Sequence, residues 1–90
     1  MKNENKFSTT EYYLAVTLLV LKEELVDIEK SHNSNRAIFV FKVSPTIDKH
    51  IKQFRNGKIL VEPQVLFIQH KLLKNRLYDN QRKVESSELN

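Results

Sequence analysis

A ten-residue apolar run from Tyr12 to Leu21 constrains the fold more than any other feature, since only Thr17 interrupts it. The run is too short to cross a membrane, which takes about 20 apolar residues. It predicts a helix from about Thr9 to Lys22 on which no polar face remains. Because a chain of 90 residues has little with which to cover such a helix on all sides, we expect part of it to contact another subunit or a partner protein.

The residues before this run resemble a helix start. Glu11 follows Ser8 at the spacing of a capping box, and Phe7 and Tyr12 have the spacing of a hydrophobic staple. We therefore expect helix 1 to begin beside Ser8, after a flexible N-terminus of residues 1–7.

Composition limits the size and the setting of the fold. Ninety residues suffice for one core but not for two. Cysteine is absent, which excludes disulfides, thiolate catalysis and cysteine-based zinc sites. The first six residues lack the apolar core of a signal peptide, so we expect a cytoplasmic protein.

Two segments with strand character follow the apolar run. Leu25–Lys30 alternates after its first residue, Ala37–Val43 is β-branched and aromatic, and the polar loop 31–35 separates them. This pattern predicts an antiparallel β-hairpin. The second strand is apolar on both faces, whereas Asp27 and Glu29 keep one face of the first strand in solvent.

The segment after the hairpin predicts a second helix. Ser44 is placed to cap it, and Pro45 suits its first position, where no backbone N–H is needed. Gly57, the only glycine, is expected to end the helix in the left-handed conformation. Apolar residues at helical spacing form its core stripe: Ile47, Ile51 and Phe54.

A short third strand is expected at 58–62, and Pro63 is expected to open a third helix that runs to about Tyr78. The predicted fold is therefore a small single α+β domain of order α-β-β-α-(β)-α, with the antiparallel hairpin packed against helices. The domain takes in residues 8–79, and a polar tail, 80–90, is expected to be disordered.

The sequence predicts no enzyme, no cofactor and no metal site. The three histidines, His32, His50 and His70, lack the spacing by which one helix presents two ligands to a metal. Ser44 has no partner in a nucleophile motif. The carboxylates Glu23, Glu24, Asp27 and Glu29 form a charge run that is typical of a solvated edge.

Positive charge is concentrated in the second half of the chain. Residues 46–83 hold nine basic and three acidic side chains, whereas residues 1–45 hold six of each. On helix 3, Phe67, Lys71, Lys74 and Tyr78 share one face, where lysines could neutralise phosphates while a ring stacks on an unpaired base. The predicted contacts with DNA or RNA are Lys71, Lys74 and Arg76 first, then Lys52, Arg55 and Lys58 if helices 2 and 3 pack side by side.

Another interpretation of helix 3 stays open. Phe67 and Tyr78 could be packed inside, with the lysines serving only solubility. The main core face would then consist of Val65, Ile68, Leu72, Leu73 and Leu77.

Several of these pieces, in this order, resemble a family of small bacterial and phage proteins whose domain has no known function. The matching features are the threonine-led helix 10–19, the paired phenylalanines of 39–41, and 54–57 leading into 61–63 and 72–74. The resemblance spans about residues 8–79 and implies an α-β-β-α-α layout in a phage or mobile-element setting. This chain departs from it at Lys22-Glu23-Glu24, where the resemblance implies a turn that contains glycine.

Two functions follow as hypotheses. The preferred one is a non-catalytic nucleic-acid-binding accessory protein that works as a homo-oligomer or within a nucleoprotein assembly. The alternative is a protein-interaction module that binds a partner protein, or itself, through helix 1. Its interface would consist of Tyr12, Tyr13, Leu14 and Leu18.

Overall fold

Three strands form one antiparallel sheet in the computed structural model, which describes residues 5–31 and 36–89 and their side chains as far as Asp79. The strands are β1 (Lys6–Thr9), β2 (Leu25–Lys30) and β3 (Ala37–Lys42), in the order β1-β3-β2. The predicted hairpin is therefore confirmed as β2 and β3, and so is the α+β class. Four residues of the predicted loop between these strands, 32–35, lie outside the described residues.

The central position of β3 explains why its sequence is apolar on both faces. Phe39 and Phe41 are buried on the side that faces the helices, and Phe7 of β1 pairs opposite Phe41. On the other side, Val40 is also buried, between its neighbours Ser8 and Asp27 on the two flanking strands. A strand with a neighbour on each side has little surface left for water.

A bulge at Val26 shifts by one residue the alternation of inward and outward side chains along β2. Leu25 pairs with Phe41 and Ile28 with Phe39, so both of these apolar residues face the core although they are three positions apart. The extra residue, Val26, is 38% exposed. A bulge of this kind adds one residue to a strand and resets which side its side chains face.

The prediction for residues 6–11 was wrong, because the chain forms β1 there and helix α1 spans Tyr12–Val20. Ser8 lies within the strand and is not a cap. The hydroxyl of Thr9 accepts a hydrogen bond from the Glu11 amide instead, and it closes the turn between β1 and α1. The expected strand at 58–62 does not form, so β1 is the third strand.

Helix α1 lies at the centre of the core. Leu14, Ala15, Val16, Thr17 and Leu18 are all buried, and five consecutive buried residues cover every side of a helix. Other buried members of the core are Phe39, Phe41, Ile47 and Leu73. The chain therefore covers most of α1 itself, and the expectation that α1 needs a partner for this purpose was wrong.

Helix α2 spans Ile47–Arg55 and begins two residues later than predicted. Its N-cap position is held by Thr46, whose amide donates to the Ser44 hydroxyl. The predicted stripe is confirmed, since Ile47 is buried and Ile51 and Phe54 pack against the core. Gly57 ends the helix with a φ of 67°, the left-handed conformation that was expected.

Helix α3 begins at Pro63, as predicted, and extends to Leu89, well beyond the predicted end near Tyr78. Its amide at Val65 donates to the Glu62 carboxylate, which caps the helix start. Side chains after Asp79 lie outside the described residues, so the separation of residues 80–90 from the domain stays a prediction. In the described parts of the chain, no helix combines the length and the apolar character needed to span a bilayer.

Candidate binding faces of helix α3

As far as Asp79, the described side chains of helix α3 contact the other elements along one side of the helix. Leu73 is fully buried, and Leu66 and Leu77 pack against the core at the spacing of one helix side. His70, between them, contacts α1 through Tyr12. The remaining circumference of α3, up to Asp79, carries two further groups of side chains.

The first group is the basic–aromatic face, which consists of Phe67, Lys71, Lys74 and Tyr78. Phe67 is 67% and Tyr78 55% exposed, and both lysines are exposed. Since 3.6 residues make one turn, these four side chains line one side of α3. The predicted stripe is therefore present, and its two rings lie in solvent rather than in the core.

The second group is the apolar face, which consists of Val65, Ile68 and Leu72. These side chains are 41%, 56% and 50% exposed and recur at i, i+3 and i+7. Their inclusion in the main core face of helix 3 was wrong, because the side that contacts α1 is the one that carries Leu66 and Leu73. The sequence offers two apolar stripes on α3, and only one of them is covered among the described residues.

The other predicted phosphate contacts do not extend the basic–aromatic face. Arg76 is exposed, but its spacing from Lys71 and Lys74 places it on the far side of α3. Lys52 and Lys58 are exposed on and after α2. In the described structure, α2 and α3 each pack mainly against α1 and not mainly against each other, so the side-by-side packing on which this extension depended does not occur.

Arg55 is engaged by a carboxylate. Its guanidinium donates two hydrogen bonds to Glu11, of 2.7 and 2.5 Å, which join the end of α2 to the start of α1. The hydrogen bonds from Arg55 lower the pKa of Glu11 and raise the pKa of Arg55 itself. A cation held in this way is a poorer phosphate ligand than a lysine without a carboxylate partner.

A shallow groove of about 480 Å³ lies beside β1. Phe7 to Glu11, Ile38 and Arg55 line it, and it is widely open to solvent. Its two charged side chains, Glu11 and Arg55, are bound to each other, so the groove presents no unpaired charge to a ligand.

The interface predicted on α1 is largely buried. Leu14 and Leu18 are completely inaccessible, so their assignment as docking residues was wrong. Tyr12 is half-buried against Phe39, and only Tyr13, at 71% exposed, projects into solvent. One exposed ring is too little for a docking surface.

Tyr12 connects α1 to α3. Its hydroxyl donates to the His70 carbonyl over 3.2 Å and lies 3.3 Å from His70 Nδ1. Burial raises the pKa of Tyr12 above its usual value, with a smaller contribution from Tyr13. This contact fixes which side of α3 faces the core.

Glu23 is a buried carboxylate that joins the end of α1 to the start of α2. It accepts hydrogen bonds from Ser44 Oγ at 2.5 Å, Thr46 Oγ1 at 2.7 Å and His50 Nδ1 at 2.7 Å. Burial acts to raise the pKa of Glu23, but the three hydrogen bonds and the charge of His50 outweigh it, so the pKa lies below its usual value. The expectation of a solvated edge was wrong for this residue, because it lies inside a closed cluster.

Two of the three histidines form hydrogen bonds that hold the fold together. His50 and His70 are partly buried and hydrogen-bonded to Glu23 and Tyr12, respectively. His32 lies outside the described residues. Within the described part of the chain, no three metal-ligating side chains converge.

One family model matches most of this chain. The sequence model of a domain of unknown function, DUF5659, matches residues 4–79, most of the chain. This chain belongs to the DUF5659 family. No curated protein and no solved structure matches it. The expected resemblance to a family of unknown function is thereby confirmed, while its bacterial or phage setting stays a prediction. The matched region of this DUF5659 chain includes β1 and both exposed faces of α3.

Two features were missed from the sequence, and for different reasons. The apolar face of α3 had a signal, since apolar residues from Val65 to Tyr78 surround the helix and cannot all lie on its core side. The Glu23 cluster had none, because its partners are more than 20 residues away in the chain.

Proposed function

We propose that this DUF5659 chain is a non-catalytic nucleic-acid-binding protein that contacts single strands through the basic–aromatic face of α3. The observation that carries the proposal is the exposure of Phe67 and Tyr78 on the same side as Lys71 and Lys74. Large aromatic side chains gain free energy when they are buried, so two exposed rings are a surface suited to a ligand.

The chemistry of this face fits single strands better than duplexes. Unpaired bases expose their rings and stack on aromatic side chains regardless of sequence, at about 1–3 kcal/mol per base. Lysines bind phosphate as point charges, without base preference. Neither lysine forms an ion pair with another described residue, so both are available to phosphate.

The distribution of charge supports the same proposal. The surplus of basic residues lies in 46–83, the half of the chain that contains α3. Asp48, Glu62 and Asp79 are the acidic residues of this range. Approach of a polyanion is therefore favoured from the part of the surface that residues 46–83 form.

The test measures binding of the nuclease-treated protein to labelled single-stranded DNA and RNA oligonucleotides, and to duplexes, by fluorescence anisotropy across a salt series. The combined variant Lys71→Glu and Lys74→Glu should abolish binding to single strands. The variant Lys71→Gln with Lys74→Gln removes both charges without reversing them. It should flatten the slope of the logarithm of the binding constant against the logarithm of the salt concentration by about 1.4, since each phosphate contact contributes about 0.7.

A matched control keeps the charge change but moves it to the sheet. Lys30→Glu with Lys42→Glu alters two exposed lysines of β2 and β3 by the same total charge. This control should bind nearly as well as the original chain. Equal loss of binding in both variants would show that only the net charge of the chain matters, not the position of the lysines. Absence of binding at low salt would overturn the proposal.

A ring variant separates stacking from charge. Phe67→Ser should weaken binding to single strands by roughly tenfold, in line with the loss of one stacked base. It should leave the salt slope unchanged, because no phosphate contact is removed.

A further inference from the structure

The apolar face of α3 lies apart from the basic–aromatic face. Counting 100° per residue, the two faces are separated by roughly a third of a turn around the helix. A ligand on one face therefore leaves the other open. Val65, Ile68 and Leu72 are thus able to take an occupant of their own.

We propose that the occupant is a second copy of this chain, bound with its α3 antiparallel to the first. A twofold arrangement centred between Ile68 and Gln69 brings Val65 of one copy level with Leu72 of the other. Each copy then buries the same three apolar side chains, with Val65 against Leu72 and Ile68 beside the other Ile68. This is the self-complementary pattern of a twofold dimer.

The charges beside the apolar face support this orientation. Glu62 and Arg76 are both exposed, lie 14 residues apart, and border the face on the same edge, next to Val65 and Leu72. In the antiparallel arrangement, Glu62 of one copy lies within one residue of level with Arg76 of the other, and this pair forms at both ends of the contact. A parallel arrangement would place Glu62 level with Glu62 and Arg76 level with Arg76.

The other cations on the described part of α3, up to Asp79, do not oppose this pairing. Lys71 and Lys74 lie on the basic–aromatic face, away from the contact. The antiparallel orientation also aligns the helix dipoles favourably. A contact built from three apolar side chains per copy is small, so we expect an equilibrium between monomer and dimer that depends on concentration.

The test is the solution mass of the nuclease-treated protein by sedimentation over a concentration series at moderate salt, without nucleic acid. The mass should rise from that of the monomer, 10.7 kDa, towards twice this value. Ile68→Lys should abolish the rise. The adjacent change Phe67→Lys, on the other face, should not.

A second measurement tests the orientation. Arg76→Glu should weaken the dimer by about tenfold, because like charges then oppose each other at both ends of the contact. Adding Glu62→Lys to Arg76→Glu should restore dimerisation. Because Glu62 also caps α3, Glu62→Gln, which keeps an oxygen acceptor without the charge, is measured beside it as the control. A second disrupting variant, Leu72→Lys, protects the conclusion if Ile68→Lys fails to fold, which its circular dichroism spectrum will show.

Three results would overturn the proposal. They are a mass that stays monomeric at all concentrations, a dimer that survives both Ile68→Lys and Leu72→Lys, and a charge exchange that fails to restore association. A mass that stays monomeric would mean that a different protein, and not a second copy, covers the apolar face. Because the binding of oligonucleotides is measured separately, either proposal can fail without the other.

Discussion

Helices α1 and α3 both carry apolar side chains around most of their circumference, yet the fold treats them in opposite ways. Five consecutive residues of α1, from Leu14 to Leu18, are buried, whereas α3 keeps Val65, Phe67, Ile68 and Leu72 in solvent. The difference follows from their places in the chain. Elements before and after α1 fold back onto it, whereas the described part of α3 packs on one side. Apolar content alone therefore does not identify the helix that needs a partner.

The largest expected effect comes from truncating a leucine on each helix. Leu18→Ala should lower the free energy of unfolding by about 3 kcal/mol, because it removes a fully buried side chain and leaves a cavity. Leu72→Ala should cost under about 1 kcal/mol, since half of that side chain already lies in water. Urea denaturation at low protein concentration, where the chain is monomeric, measures both. Equal costs would place Leu72 in the core and remove the contrast between the helices.

The cluster that fixes the end of α1 is expected to give the next largest effect. Glu23→Gln places an amide group opposite at least one hydrogen-bond donor among Ser44, Thr46 and His50, and so loses charge-assisted bonds. We expect a loss of about 2 kcal/mol in urea denaturation. The neighbouring change Glu24→Gln, at an exposed residue, is the control and should have almost no effect. Similar losses in both variants would show that Glu23 acts only through its charge.

The same carboxylate predicts how stability depends on pH. The pKa of Glu23 is lower in the folded chain than its usual value of 4.5, so the folded state holds the ionised form more strongly than the unfolded state does. Its contribution is complete above that usual value and is lost as the pH falls through the lowered folded pKa. Thermal unfolding between neutral and acidic pH should therefore show a shallower loss of stability in Glu23→Gln. Some dependence will remain in that variant, because the pKa of Glu11 is lowered in the same direction.

Local signals in the sequence predicted the parts of the fold that depend on neighbouring residues. Residues only a few positions apart determine four such features: the β2–β3 hairpin, the apolar stripe of α2, the end of α2 at Gly57 and the start of α3 at Pro63. Strand β1 was missed because its pairing partner, β3, lies about 30 residues later, and because a short strand with one apolar residue resembles a helix cap.

The candidate site was predictable in part for the same reason. Helical spacing alone brings Phe67, Lys71, Lys74 and Tyr78 onto one face, whatever lies around α3. Which apolar stripe of α3 enters the core cannot be decided from spacing, because Val65, Ile68 and Leu72 fit as well as Leu66, Leu73 and Leu77. The choice depends on the contact with α1, where Tyr12 holds His70. Function itself leaves no local signal of comparable strength and stays a prediction.

The smallest expected effect concerns the end of α1, where a lysine does what glycine does at the end of α2. Glu23 and Lys22 donate backbone hydrogen bonds to Leu18 and Leu19, and Lys58 and Gly57 donate the same pair at the end of α2. Lys22 has a φ of 71°, a conformation that disfavours a residue with a Cβ atom.

Lys22→Gly should therefore raise the free energy of unfolding by about 0.5 kcal/mol, since the relief of this conformation outweighs the added freedom of the unfolded chain. Gly57→Ala should lower it by about 1 kcal/mol through the backbone alone, because nothing lies within 4 Å of the added methyl group. Opposite signs in urea denaturation would establish that both helix ends obey the same rule. A loss of stability in Lys22→Gly would mean instead that the Lys22 side chain helps to hold the end of α1, and that α1 depends on more than its buried residues.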